Sequence, residues 1–159
     1  MKRFLIGALA LSVIAGCDDT IPGASSTSAG GQAVAMASVP AGKSVILLYR
    51  KKTFAGSASY QTVTVDGVQV ALVSVGSVHQ EVVAPGQRMV QVETTPSMLN
   101  VGLALALQRK PTMAINLKSG ETAYLELGAD TLDASPTIRR VDAATARADT
   151  AGFVAAKPI

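Results

Sequence analysis

The chain has one cysteine, one histidine and no tryptophan in 159 residues. A lone cysteine makes no internal disulfide, so Cys17 is either a free thiol or a modified residue. The single histidine, His79, has no second histidine or spare cysteine beside it, and a catalytic zinc site usually takes three protein ligands. Aromatic residues make up 4% of the chain. Aliphatic side chains must therefore fill any core, and the aromatic platform of a carbohydrate site is poorly supplied. No G-x-S-x-G nucleophile elbow and no phosphate-cradling glycine loop occurs. The apolar run from Phe4 to Ala15 is short of the roughly twenty residues that a membrane-spanning helix needs.

That run nevertheless has the form of an export signal, with Lys2 and Arg3 as its positive n-region. It ends in Ile14-Ala15-Gly16-Cys17, which resembles the lipobox of bacterial lipoproteins. The resemblance implies cleavage between Gly16 and Cys17, a diacylglycerol on the Cys17 sulfur and an N-acyl lipid on its new amine. One acyl chain holds a protein marginally, whereas two or three hold it stably. An ordinary secretory signal with a stray cysteine and an uncleaved membrane helix are the alternatives. No other cofactor is expected, and no metal. Asp18 and Asp19 resemble the signal that retains enteric lipoproteins in the inner membrane. The expected location is thus the bacterial cell membrane, lipid-anchored on the periplasmic side of the inner membrane, with the outer membrane as the alternative where sorting differs.

Removing residues 1–16 takes away Lys2 and Arg3 and leaves 12 basic against 11 acidic residues. The mature chain is close to neutral, which argues against a nucleic-acid partner. Residues 17–42 form a linker rich in Ser, Gly and Ala. With its lipidated Cys17 it is expected to act as a disordered tether, with a coil span of roughly 25–30 Å and a stretched limit of about 90 Å. Pro40-Ala41-Gly42 marks the start of a domain over residues 43–141.

Within that domain the hydrophobic pattern has period two, the signature of strands. Ser44 to Lys51 is apolar on both faces, which suits a central strand. Asp66-Gly67 predicts a type I′ hairpin that opposes Val65 with Val68, Val63 with Val70 and Thr64 with Gln69. Val78 to Ala84 and Arg88 to Thr95 flank a Pro85-Gly86 turn. Leu99 to Gln108 alternates as a strand would, with a short helix as the competitor. Thr112 to Leu117 and Glu121 to Gly128 are expected to share an apolar face across a Lys118-Ser119-Gly120 loop with Gly120 left-handed. Thr137 to Val141 is expected to be an edge strand. Asp142 is expected to cap a short helix, and the tail of 142–159 to fray. About seven strands at regular spacing predict an all-β fold, an immunoglobulin-like or Greek-key β-sandwich.

The order of these motifs resembles the bacterial lipoprotein family known as domain of unknown function 2846. The matching pieces are Tyr49-Arg50, Val63-Thr64-Val65-Asp66-Gly67, Pro85-Gly86 and Ser119-Gly120-Glu121-Thr122-Ala123-Tyr124-Leu125. The stretch from Leu99 to Lys110 is longer than the family pattern. The resemblance implies a sandwich and brings no catalytic residues with it.

Few residues then suggest chemistry. His79 and Glu81 fall on one strand face, where a polar surface pair is the ordinary explanation. Asp130, Asp133 and Asp142 match no calcium-loop spacing. Arg50, Lys51 and Lys52 are the possible binding patch, either for anionic headgroups or an acidic partner or as a solvated strand end; Arg139-Arg140 is similar. Tyr49, Tyr60 and Tyr124 are expected to pack in the core or at sheet edges. The chain reads as a non-catalytic interaction or scaffold module. It would contact the lipid bilayer through Cys17 and an unknown envelope protein through its body. A small-ligand or glycan-binding sensor is the alternative, and a hydrolase a distant third.

Overall fold

Period-two alternation becomes strand after strand in the computed structural model, which describes residues 38–53, 59–95, 109–130 and 135–159. The strands are β1 (Ser44–Arg50), β2 (Tyr60–Val65), β3 (Val68–Val73), β4 (Ser77–Val83), β5 (Gly86–Thr95), β6 (Thr112–Leu117), β7 (Thr122–Ala129) and β8 (Pro136–Val141). Helix α1 (Ala143–Asp149) and two short strands, β9 (Val154–Ala155) and β10 (Lys157–Pro158), follow. Residues 1–37, and with them Gly16, Cys17, Asp18 and Asp19, lie outside the described residues, as does the expected strand from Leu99 to Gln108.

Two five-stranded sheets result, ordered β8-β7-β1-β4-β9 and β10-β3-β2-β5-β6. The chain leaves β3, crosses to β4 in the opposite sheet and returns to β5 beside β2, the over-and-back path of a Greek key. The core lies between the sheets. Ile46, Leu48, Ala123, Leu125 and Leu127 from one sheet meet Val63, Val65, Val73, Val90, Val92, Ile115 and Leu117 from the other. Each fully buried aliphatic side chain stabilises the fold by about 1.5–3 kcal/mol.

Strand β1 is central, as its two apolar faces predicted, and every one of its residues is buried. Its second face is covered from outside. Leu47 and Tyr49 join Val78, Ala146 and Phe153 in a smaller cluster beneath α1 and the chain end. Asp142 caps α1 as expected, accepting from the Thr145 N–H at 2.9 Å, an arrangement worth about 1 kcal/mol.

The Asp66-Gly67 hairpin forms with both residues at positive φ, 51° and 82°. Asp66 is also held from outside the turn: its Oδ1 accepts the Met89 N–H at 2.8 Å and its Oδ2 accepts Arg88 Nη1 at 2.8 Å. The register differs from expectation beyond the first rungs. Val65 opposes Val68 and Thr64 opposes Gln69, but Val63 opposes Ala71 rather than Val70, with a bulge between. The extra residue turns Ala71 and Val73, rather than Val70 and Leu72, into the core.

Two turns carry the chain between the sheets. The strands around Pro85-Gly86 do not form a hairpin, because β4 pairs with β1 and β5 with β2 and β6. Likewise β6 and β7 lie in opposite sheets. Gly120 is left-handed as predicted, φ 80°, yet the loop carries the chain across the sandwich. The two apolar sets meet face to face through the core instead of side by side.

The end of the chain does not fray. Phe153 and Ala156 are buried, β9 runs parallel to the start of β4, and β10 pairs with β3. Val154–Pro158 thereby bridges the two sheets along one side.

Candidate functional site

The strand ends divide the sandwich into two poles. At one pole lie Ser44, where the N-terminal segment joins, and the turns after β2, β4 and β6. At the other lie Arg50, Tyr60, Thr95, Ala129 and Pro136. This second pole, opposite the point where β1 begins, carries most of the polar groups that the fold buries; Ser44 is buried at the first pole.

Arg50, Gln61 and Thr94 are all buried there. Arg50 lies on the face of β1 that holds Ile46 and Leu48, because strand side chains alternate. Its Nη1 donates to the Ser59 carbonyl at 2.8 Å, and burial pulls its pKa down. Gln61 follows the inward face of Val63 and Val65, and its Nε2 donates to the Gly128 carbonyl at 2.6 Å. A Cβ at Gly128 would stand 2.7 Å from Thr137 Oγ1, so the Thr137 side chain would have to move to admit one. Gln61 and Thr94 are directly opposed between β2 and β5. Among the described residues, neither Gln61 Oε1 nor Thr94 Oγ1 has a hydrogen-bond partner. Buried orphans of this kind are rare and are usually met by water or a bound group.

A second polar group sits outside the sheet at the same pole. The Tyr49 hydroxyl donates to Asp149 at 2.7 Å and lies 3.4 Å from Glu126. Lys51 Nζ pairs with Asp149 at 3.0 Å and Glu126 at 3.3 Å, and Arg139 pairs with Glu126 from β8. Burial and the hydrogen bond to Asp149 push the Tyr49 phenol far above its ordinary pKa. The hydrogen bond to Asp149 raises that of Lys51. Burial works against the Asp149 carboxylate, but hydrogen bonds from Tyr49 and Lys51 outweigh it and hold the carboxyl low. These shifts favour a neutral Tyr49 phenol, a cationic Lys51 and an anionic Asp149, the forms that hold the three together. They clamp α1 to the sheet.

The clamp and the Asp66 turn together set a pH dependence. The depressed pKa values of Asp149 and Asp66 stabilise the fold above the unfolded carboxylate range, about 4. That contribution disappears as pH falls through the folded values. The raised Tyr49 pKa acts in the other direction: it contributes fully below about 10 and is lost as pH rises, because the unfolded phenol ionises first. The urea midpoint should therefore hold level from about pH 5 to 10 and fall on either side. Absorbance at 295 nm should show fewer phenolates in native than in unfolded protein at pH 11, and equal numbers would contradict the clamp.

The run Arg50, Lys51, Lys52 forms no common basic surface. Arg50 is 2% exposed and points inward. Lys51 is matched by two carboxylates, and Lys52 lies 5.6 Å from the centre of the Phe153 ring. Arg50, the last residue of β1, turns into the core, whereas Lys51 and Lys52 both lie on the outer side, against Asp149 and Phe153 from the far end of the chain. His79 and Glu81 do share a face, with His79 Nε2 3.0 Å from Glu81 Oε2. That face is the one carrying Leu48 and Ile46, their direct neighbours in β1, so the pair sits at the margin of the core rather than on the outer surface. Arg139 and Arg140 are paired with Glu126 and Glu121. Among the described residues no group of three or more His, Cys, Asp or Glu side chains could hold a metal ion.

Sequence reasoning passed over Gln61, Thr94, Glu126 and Asp149. A signal existed for the first two, since each interrupts an inward valine series, Gln61-Val63-Val65 and Val90-Val92-Thr94. None existed for Asp149, whose partner Tyr49 is 100 residues away in the chain. No protein-family model matches the sequence, and no curated protein matches it.

Proposed function

We propose that the chain is a lipid-anchored, non-catalytic interaction module of the bacterial envelope, held through Cys17 on the periplasmic side of the inner membrane. The observation that carries this reading is the polarity of the body. The N-terminal segment joins at Ser44, and the buried polar groups Arg50, Gln61 and Thr94 lie at the opposite pole. A tether at one end presents the other end to whatever lies beyond the membrane surface, and it raises the local concentration near membrane-bound partners. The signal-like N-terminus, with its lipobox resemblance and following Asp18 and Asp19, supplies the anchor in this reading. The resemblance to the lipoprotein family of domain of unknown function 2846 agrees with it.

Expression in a bacterial host tests the anchor. Wild-type protein should enter the detergent phase with a mature N-terminus at Cys17 carrying diacylglycerol and an acyl chain by mass spectrometry. Cys17→Ser should move it entirely to the aqueous phase. Recovery of wild-type protein with an unmodified thiol, or with its first sixteen residues retained, would overturn the proposal. Cross-linked purification from membranes then tests the module, with a stable protein partner as the expected result. A large thermal shift with sugars or peptides and no protein partner would instead favour a ligand-binding sensor.

A further inference from the structure

A sheet edge exposes unpaired backbone groups, and proteins usually blunt such edges with charges, prolines, bulges or covering segments. Three edges here carry such devices. Strand β8 begins with Pro136 and carries Arg139 and Arg140. Strand β3 is covered by β10 at Ala71 and Leu72 and contacts β2 through a bulge. Strand β4 is covered by β9 at Ser77 and Val78, and its remainder points the polar pair His79 and Glu81 inward.

Among the described residues, strand β6 has none of them. Its sequence, TMAINL, contains no charge and no proline, and its register with β5 is unbroken. Thr112, Ala114 and Asn116 are exposed, and Ala114, Ile115 and Asn116 line a shallow depression beside it. The Val92 N–H donates to the Pro111 carbonyl at 3.0 Å. Backbone groups along an antiparallel pair alternate in direction. Residues 113, 115 and 117 therefore turn toward β5, and the N–H and C=O groups of Thr112, Ala114 and Asn116 face outward.

We infer that β6 pairs antiparallel with β6 of a second copy of this chain, joining two five-stranded sheets into one of ten strands. The two-fold axis passes at Ala114. That register sets Thr112 opposite Asn116 of the partner subunit on the outer face and Met113 opposite the partner's Ile115 on the inner face. Small Ala114 meets its own copy at the axis. Every rung joins like with like in polarity, and no charge lies within the ladder. Lys110 and Lys118 stand just beyond it, and Glu93 neutralises Lys110 at 3.0 Å. The partner is a second copy because the pattern is complementary to itself about one residue. The pairing is independent of the anchor.

Single-cysteine cross-linking in a full-length Cys17→Ser background tests it. Ala114→Cys should form a disulfide-linked dimer on mild oxidation, while Thr112→Cys, which faces Asn116 and not itself, should not. Ala114→Pro removes an outward N–H at an edge position, so the chain should remain folded by circular dichroism while the dimer detected by chemical cross-linking is lost and the thermal midpoint ceases to depend on protein concentration. Ala114→Lys should do the same by placing two charges at the axis. A monomer in which neither cysteine variant cross-links, as when another part of the chain covers β6, would overturn the inference. So would a dimer that survives both Ala114 substitutions in folded protein.

Discussion

Phe153→Ala is expected to lower the unfolding free energy by about 3–5 kcal/mol, the range for truncating a buried phenylalanine. Phe153 is 3% exposed and packs tilted against Tyr49, ring centres 6.4 Å apart. It also fixes the start of the closing segment. Immediately after it, the Val154 N–H donates to Gly76 and the Ala156 N–H to Val78. The loss should therefore show first as fast hydrogen exchange at Val154 and Ala156, with the inner valines still protected. A domain with a total stability of about 5–15 kcal/mol would lose a large share of it. Unchanged exchange at these two amides, together with a shift below about 1 kcal/mol, would show that the segment does not close the sandwich as its burial implies.

Leu125→Ala is expected to cost a comparable amount, about 2–5 kcal/mol, by a different route. Leu125 is fully buried in β7 among side chains of both sheets. The sheets are pinned by backbone ladders on either side of β7, so the void cannot collapse cheaply. The damage should be global: chemical denaturation should show a lower midpoint with the slope unchanged, and exchange should quicken across both sheets together. Leu125→Met, which nearly conserves volume, should cost less than about 1.5 kcal/mol. If Ala and Met were tolerated equally, the interior would not be close-packed at this point.

The contrast between the two substitutions corresponds to what could and could not be read from the chain. Alternation with a period of two located the strands, because a half-buried strand needs one apolar face wherever its partner lies. It marked β1 as central and separated inward Val63 and Val65 from outward Thr62 and Thr64. Local rules were equally reliable for Asp66-Gly67, Gly120 and Asp142, since a positive φ or a cap bond is satisfied within a few residues. Inward residues that are not apolar left a signal that went unread: Gln61 and Thr94 interrupt the valine series that surrounds them.

Pairing between strands obeyed no local rule. The Pro85-Gly86 and Lys118–Gly120 turns join strands in opposite sheets. A turn sequence specifies a reversal, but the choice between lying beside a neighbour and lying across from it depends on what else the sheet has already paired. The parallel contact of β1 with β7 and the bulge opposite Val63 are of the same kind. So are the clamp on Tyr49 and the inward course of Arg50, which divide an apparent basic run into one buried cation, one matched by two carboxylates and one exposed beside the Phe153 ring. Those features depend on groups far apart along the chain, brought together by burial of both faces of β1. A period of two says which side of a strand is buried, and distant partners in space determine what it is buried against.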